Sequence, residues 1–155
     1  MTCALIALSA CGFALRGAVV LPFSSIYIGL PDNSSLAGEL KRTIRSNGHT
    51  TILNDATQAQ ITLDVLSEQR EKTILSLNSQ GRVREFALHY HFRFRVKNVE
   101  GKELLAPTMI SLQRRLSYNE EQALAKEAEE ALLYRDMQSD LVQQIVRRLA
   151  KLKVD

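Results

Sequence analysis

Basic side chains crowd one short stretch of this chain. Arg82, Arg84, Arg93, Arg95 and Lys97 fall close together, with His89 and His91 between them. Arg114 and Arg115 follow, and Lys126 lies a little further on. Arginine and lysine engage phosphate groups, arginine through paired hydrogen bonds. These residues are a candidate surface for a phosphorylated ligand. The competing reading is a solvated polar face, which most charged strand faces are. Lys126 and Arg82 are both expected to be exposed.

His89 and His91 flank Tyr90 at a spacing that puts both imidazoles on one side of a strand. Two imidazoles can share a metal, but a catalytic zinc needs a third ligand. The neighbours on that side are Ala87 and Arg93, and His49 sits far off in sequence. No metal site is expected. There is no Gly-rich phosphate loop, no Gly-x-Ser-x-Gly elbow and no cysteine nucleophile in the body of the chain. The chain reads as a non-enzyme without a cofactor. Nucleic acid is also disfavoured as a partner. RNA-binding sheets stack bases on exposed aromatics, whereas Phe86, Tyr90, Phe92 and Phe94 share the face that helices should cover.

The elements that position these residues follow from patterning. The 155 residues are 45% apolar and 24% charged, with a formal net charge of +3. That suits one globular domain and excludes a collagen-like chain, a disulfide scaffold and a multi-span membrane protein. Ser25–Leu30 reads as a short strand, and Leu36, Leu40 and Ile44 as the apolar stripe of a helix that stops at Asn47-Gly48. Ile52 and Leu53 suggest a small extended piece. Residues 59–67, 84–97 and 108–118 read as strands. In the second of these, Phe86, Leu88, Tyr90, Phe92, Phe94 and Val96 face one way. Ala87, His89, His91, Arg93, Arg95 and Lys97 face the other. Val99–Lys102 is a turn. From Asn119 to the end the spacing is helical, as one helix or two in tandem. The prediction is an α+β two-layer sandwich in the order β-α-β-β-β-α. Two helices cover one face of a mainly antiparallel sheet of about four strands, and the other face is polar and basic.

The two cysteines, Cys3 and Cys11, both precede this body. Ala4–Ala10 is a short apolar run, and Leu8-Ser9-Ala10-Cys11 resembles a bacterial lipobox. The resemblance implies that Cys11 carries a lipid and becomes the mature first residue. Gly12 in the next position favours sorting to the outer membrane. Residues 1–10 are then a signal-peptide remnant, 11–24 a lipidated tether and 25–155 the domain. Met1-Thr2-Cys3 lacks the usual positive charge, so the true start is expected upstream. The alternative is a buried apolar segment with an incidental cysteine. A membrane-spanning helix is excluded, because Arg16 interrupts the run.

Further motifs carry a more specific resemblance. Cys11-Gly12-Phe13-x-Leu15-Arg16-Gly17 is one, and Leu40-x-x-x-Ile44-x-x-Asn47-Gly48 is another. Ser79-x-Gly81 followed by Glu85-Phe86, the Arg114-Arg115 region, Ala123-Leu124-Ala125-Lys126, and Ile145-x-Arg147-Arg148-Leu149 continue the series. In that order they resemble the LPS-assembly lipoprotein family, LptE, also called rare lipoprotein B. The resemblance implies an outer-membrane lipoprotein, anchored on the periplasmic side. It implies a plug inside the β-barrel LptD that aids barrel assembly and binds lipopolysaccharide. Lys126 matches the lysine of the family's Ala-Leu-Ala-Lys motif. The family's second basic contact precedes the glycine of the turn before the long strand, where Asn78-Ser79-Gln80-Gly81 has no cation. Arg82 and Arg84 lie just beyond and are expected to substitute, with Arg114 and Arg115 as further contacts. The alternative is an envelope lipoprotein acting as a structural adaptor or a polymer-binding module.

Overall fold

The structure is a computed structural model that describes residues 19–154. The lipobox and Cys11 therefore lie outside the described residues. The order is β1 (Ser25–Gly29), α1 (Ser35–Ser46), β2 (Thr51–Leu53), β3 (Ile61–Leu77), β4 (Val83–Asn98), β5 (Glu103–Ser117) and α2 (Ala123–Leu149). A single 3-10 turn, Glu120–Gln122, leads into α2. The strands form one sheet in the order β2-β1-β3-β4-β5. β1 runs parallel to both β2 and β3, and β3, β4 and β5 are antiparallel neighbours. The expected α+β order holds. The sheet has five strands rather than about four, because residues 51–53 pair fully with β1.

Local sequence explains each element. Ser34 caps α1 by accepting a hydrogen bond from the Ala37 amide at 3.3 Å. Leu36, Leu40 and Ile44 are all fully buried. The helix stops where Gly48 adopts φ +80°. The two hairpins close with one recurring pattern, Asn-x-x-Gly followed by a cation. Asn78 accepts from the amides of Gln80 and Arg82, and Asn98 accepts from those of Glu100 and Lys102. Gly81 and Gly101 supply the positive φ that such turns need.

The alternation in β4 sets the layers. Leu88, Tyr90, Phe92, Phe94 and Val96 are buried beneath the helices, together with Ile26, Ile61, Leu63, Met137, Leu141 and Ile145. The opposite face carries His89, His91, Arg93, Arg95 and Lys97 and has no covering layer among the described residues. Leu21 and Phe23 are also buried, at 6% and 5% exposure. Thr50 donates to the Phe23 carbonyl at 3.1 Å. The end of the segment expected as a tether is therefore packed into the domain.

Two strands run longer than the pattern predicts. β5 begins at Glu103 rather than 108, and Pro107 sits in it where the register with β4 shifts. Proline is tolerated there because β5 is an edge strand. β3 extends ten residues past Ser67, to Leu77. A bulge between Val65 and Ser67 exchanges its faces, so that Glu68, Arg70, Lys72 and Ile74 stand beside Phe92, Tyr90, Leu88 and Phe86. Charged residues thereby turn toward the helix layer.

Gly29 ends β1 where β3 passes closely. A Cβ there would lie 3.0 Å from the Leu63 carbonyl oxygen. Gly29→Ala is expected to destabilise the domain by about 1–3 kcal/mol through this overpacking. Urea unfolding of the variant, read by circular dichroism, checks it.

Candidate functional site

Arg93, Arg95 and Lys97 lie in the half of β4 far from the β3–β4 hairpin, whereas Arg82, Arg84 and Lys126 come together at one end of the molecule, where that hairpin meets the start of α2. Asn78, Gln80, Arg82, Arg84, Tyr118 and Glu120 line an open cleft there. Arg82 is mostly exposed and lies 3.5 Å from Glu120. Arg84 is exposed, and its carbonyl accepts from the Tyr118 amide at 2.8 Å. Tyr118 also lines a smaller neighbouring cavity with Lys72, Phe86, Leu116, Lys126 and Glu130. Its ring packs edge-on to Phe86, with centroids 5.2 Å apart. The aromatic pair thus separates Arg82 and Arg84 from Lys72 and Lys126.

Lys126 is not as exposed as the sequence suggests. Its side chain retains only 15% exposure. Its ammonium donates to Ser117 Oγ at 2.9 Å and to Glu129 at 2.8 Å. Lys72 is a member of this cluster that the pattern missed, because it lies beyond the predicted end of its strand. It sits 4.3 Å from the Phe86 ring centre and contacts Glu130 at 2.5 Å.

Arg114 and Arg115 do not form a joint contact. Adjacent strand residues point to opposite faces. Arg114 reaches α2 and pairs with Asp140. Arg115 is exposed, and its strand partner is Ala87 on the uncovered face. That face is partly neutralised. Asp64 takes Arg95 at 3.0 Å and Lys97 at 3.4 Å, and Glu103 lies 3.7 Å from Arg95. His89 and His91 stack with centroids 5.9 Å apart, and each contacts a hydroxyl, of Thr73 and Ser111 respectively. Among the described residues, no group of three or more metal-ligating side chains converges.

The hairpin end is also apolar. Ile74, Leu75 and Leu77 are 59%, 42% and 54% exposed, and Leu124 on α2 is 84% exposed. Cations and exposed aliphatic side chains thus share one surface. This mix of charged and aliphatic side chains contains no nucleophile paired with a base among the described residues.

The bulge in β3 also creates a polar seam under the helices. Arg70 donates to Gln138 at 3.0 Å and to the Tyr90 hydroxyl at 3.2 Å. Tyr90 in turn donates to Glu68 at 2.6 Å. Gln138 also accepts from Ser35 and donates to Glu39, which ties α1 to α2. Burial, reinforced by the Glu68 carboxylate that accepts its proton, pushes the Tyr90 phenol up to about 12. The neutral phenol is the form the fold favours. Its stabilising effect is complete below the ordinary tyrosine range near 10 and is lost as pH rises through about 12. A spectrophotometric titration should contain a late phenol step near pH 12, and Tyr90→Phe should remove it.

Residues 23–149 match the family model described as "LptE: Lipopolysaccharide-assembly". The match spans both helices and all five strands. The chain belongs to the LptE family. Family members are lipoproteins of lipopolysaccharide assembly and are not enzymes. A similar relative is the LPS-assembly lipoprotein LptE of Yersinia pestis (strain Pestoides F). It is 31% identical over 150 residues, which cover 94% of this chain and 71% of that protein. Solved structures agree in fold. The solution structure of a lipoprotein B from Nitrosomonas europaea has a TM-score of 0.77 at 41% identity, covering 90% of each chain. A crystal structure of rare lipoprotein B from Shewanella oneidensis has a TM-score of 0.71 at 24% identity, covering 81% of this chain and 93% of that one. Within this LptE-family fold, no helix among the described residues is long and apolar enough to cross a membrane.

Proposed function

We propose that this LptE-family chain is the lipoprotein subunit of an outer-membrane lipopolysaccharide translocon. It is anchored on the periplasmic side through a lipid on Cys11, and it plugs and helps assemble the β-barrel LptD. It binds lipopolysaccharide at the hairpin end for delivery to the outer leaflet. The observation that supports this most is the amphiphilic surface itself. Arg82 and Arg84 stand exposed at the same end of the domain as the exposed Ile74, Leu77 and Leu124, which suits a ligand with both phosphates and acyl chains. Lys72 and Lys126, each paired with a glutamate of α2, lie in the neighbouring cavity as further donors. A barrel lumen is polar, and the uncovered sheet face, with its histidines, arginines and paired acids, is suited to such a wall. Lipid attachment needs no spanning segment. Equilibrium binding of the purified full-length chain to lipopolysaccharide tests the ligand. The reading expects saturable binding that weakens with salt. Binding no tighter than to a neutral glycolipid would contradict it.

A further inference from the structure

At the hairpin end cations and carboxylates are mixed and partly paired, whereas the opposite end of the domain carries a group of unpaired cations. α1 runs antiparallel to β1, and α2 runs antiparallel to β5. Since β1 and β5 both run parallel to β3 in direction, the two helices are parallel and finish at the same end. The contacts of Ser35 and Glu39 with Gln138 hold the two helices together. The last turn of α1 carries Arg45, the last turn of α2 carries Arg147 and Arg148, and Lys151 and Lys153 follow. Arg148 hydrogen-bonds back to Gln144. Arg45, Arg147, Lys151 and Lys153 are exposed, and among the described residues none forms an ion pair. In the nearby β4–β5 turn Glu100 and Lys102 offset each other, and Asp55, in the loop before β3, is exposed and accepts from Thr57 and Gln58. The first half of α2, at the hairpin end, carries Glu127, Glu129 and Glu130 instead.

The chain also enters the fold at the basic end. The loop that follows α1 is bonded to the entering segment, Thr50 to the Phe23 carbonyl and the Thr51 amide to the Ser24 carbonyl at 2.8 Å. Leu21 and Phe23 share one core with Leu149 and Leu152. Ten Cα-to-Cα steps separate Cys11 from Leu21. Fully extended they reach at most about 35 Å. The point at which a lipid on Cys11 would be tied to the domain is therefore at the basic end.

We infer that the ends of α1 and α2 form a docking surface for the anionic phospholipid headgroups of the leaflet that holds the anchor. Arg45, Arg147, Lys151 and Lys153 meet the phosphates at the periplasmic mouth of the barrel, and the hairpin end points the opposite way, into the lumen. The inference rests on the proposed lipid at Cys11. Helix dipoles alone account for one or two cations at a helix end. They do not account for two helices and a following segment converging on the entry point of the tether. A basic patch beside an acyl anchor gains about 1 kcal/mol per cation near an anionic leaflet, and it orients what the anchor merely retains.

The test uses the full-length chain carrying Cys11→Ala, so that acyl insertion does not dominate. It is floated with vesicles of phosphatidylcholine, with and without phosphatidylglycerol, at low salt. Phosphatidylglycerol is expected to raise the bound fraction. Arg147→Glu with Lys151→Glu and Lys153→Glu should weaken that partitioning at least roughly tenfold, with the unfolding midpoint unchanged. Arg82→Glu with Arg84→Glu should leave it unaltered. Equal binding to both vesicle types, or loss of binding from the hairpin variant instead, would overturn the inference. Failure of the anchor reading shows separately, as a mature chain whose mass carries no lipid when it is made with Cys11 intact in a Gram-negative host.

Discussion

Phe92→Ala is expected to lower the unfolding free energy by about 3–5 kcal/mol. Phe92 is fully buried at the middle of β4. Its neighbours across the sheet are Glu68 on β3 and Ile110 on β5, and its ring lies 5.6 Å from that of Phe94. The alanine would leave a cavity between a central strand and the helix layer, where neither side can collapse without disturbing its own pairing. A domain of this size is stable by roughly 5–15 kcal/mol, so the loss is a large share of the whole. Met109→Ala is the matched control, since Met109 is 55% exposed on the uncovered face. Its cost should stay within about 0.5 kcal/mol. Urea denaturation of the two variants measures both. Equal costs would mean that the register of β4, and hence the assignment of covered and uncovered faces, is wrong.

Arg82→Asp with Arg84→Asp should weaken lipopolysaccharide binding roughly a hundredfold. Each charge-assisted hydrogen bond to a phosphate is worth about 1.5 kcal/mol or more, and the substitution removes two cations from the cleft. The fold should tolerate it. Both side chains are exposed, and the single ion pair lost, Arg82 with Glu120 at 3.5 Å, is a surface contact worth under about 1 kcal/mol. Lys126 needs different handling. An aspartate there would face Glu129 from the place that its ion-pair partner holds, with Glu127 and Glu130 close in sequence on the same helix turn. Lys126→Asp would therefore confound folding with binding. Lys126→Gln keeps a donor for Ser117 and removes only the charge, and it should give a smaller loss of affinity. Titration calorimetry against lipopolysaccharide, with thermal unfolding run in parallel, separates the two effects. Unchanged affinity in the arginine pair would remove the hairpin end from the binding site.

Much of the fold was legible because its signals were local. The alternation from Phe86 to Val96 predicted the buried stripe of β4. The stripe Leu36, Leu40 and Ile44, closed by Asn47-Gly48, predicted α1. What escaped was non-local. The run Glu68 to Lys72 has no apolar phase, so β3 was expected to stop at Ser67. It continues because β4 is sixteen residues long and offers hydrogen-bonding partners along its whole length. The bulge then turns Arg70 and Lys72 toward Tyr90, Gln138 and Glu130, which satisfy them. A strand as long as β4 was itself the clue that its neighbour must be longer than nine residues. In the candidate site, the exposure of Arg82 followed from its place in the turn at Gly81, whereas that of Arg84, in phase with Phe86, did not. The ties of Lys126 to Ser117 and Glu129 did not, since they depend on where α2 crosses the end of β5. Arg114 and Arg115 could have been separated from sequence alone, because neighbours on a strand cannot share a face.

The central claim is that this lipoprotein works inside a β-barrel partner. The most direct measurement is co-purification of the full-length chain, tagged at its C-terminus, from outer membranes extracted in mild detergent, with mass spectrometry of what it brings down. The account predicts a stoichiometric β-barrel of the LptD type, with lipopolysaccharide in the same peak. A lone lipoprotein, or one bound to peptidoglycan or a different assembly, would contradict it.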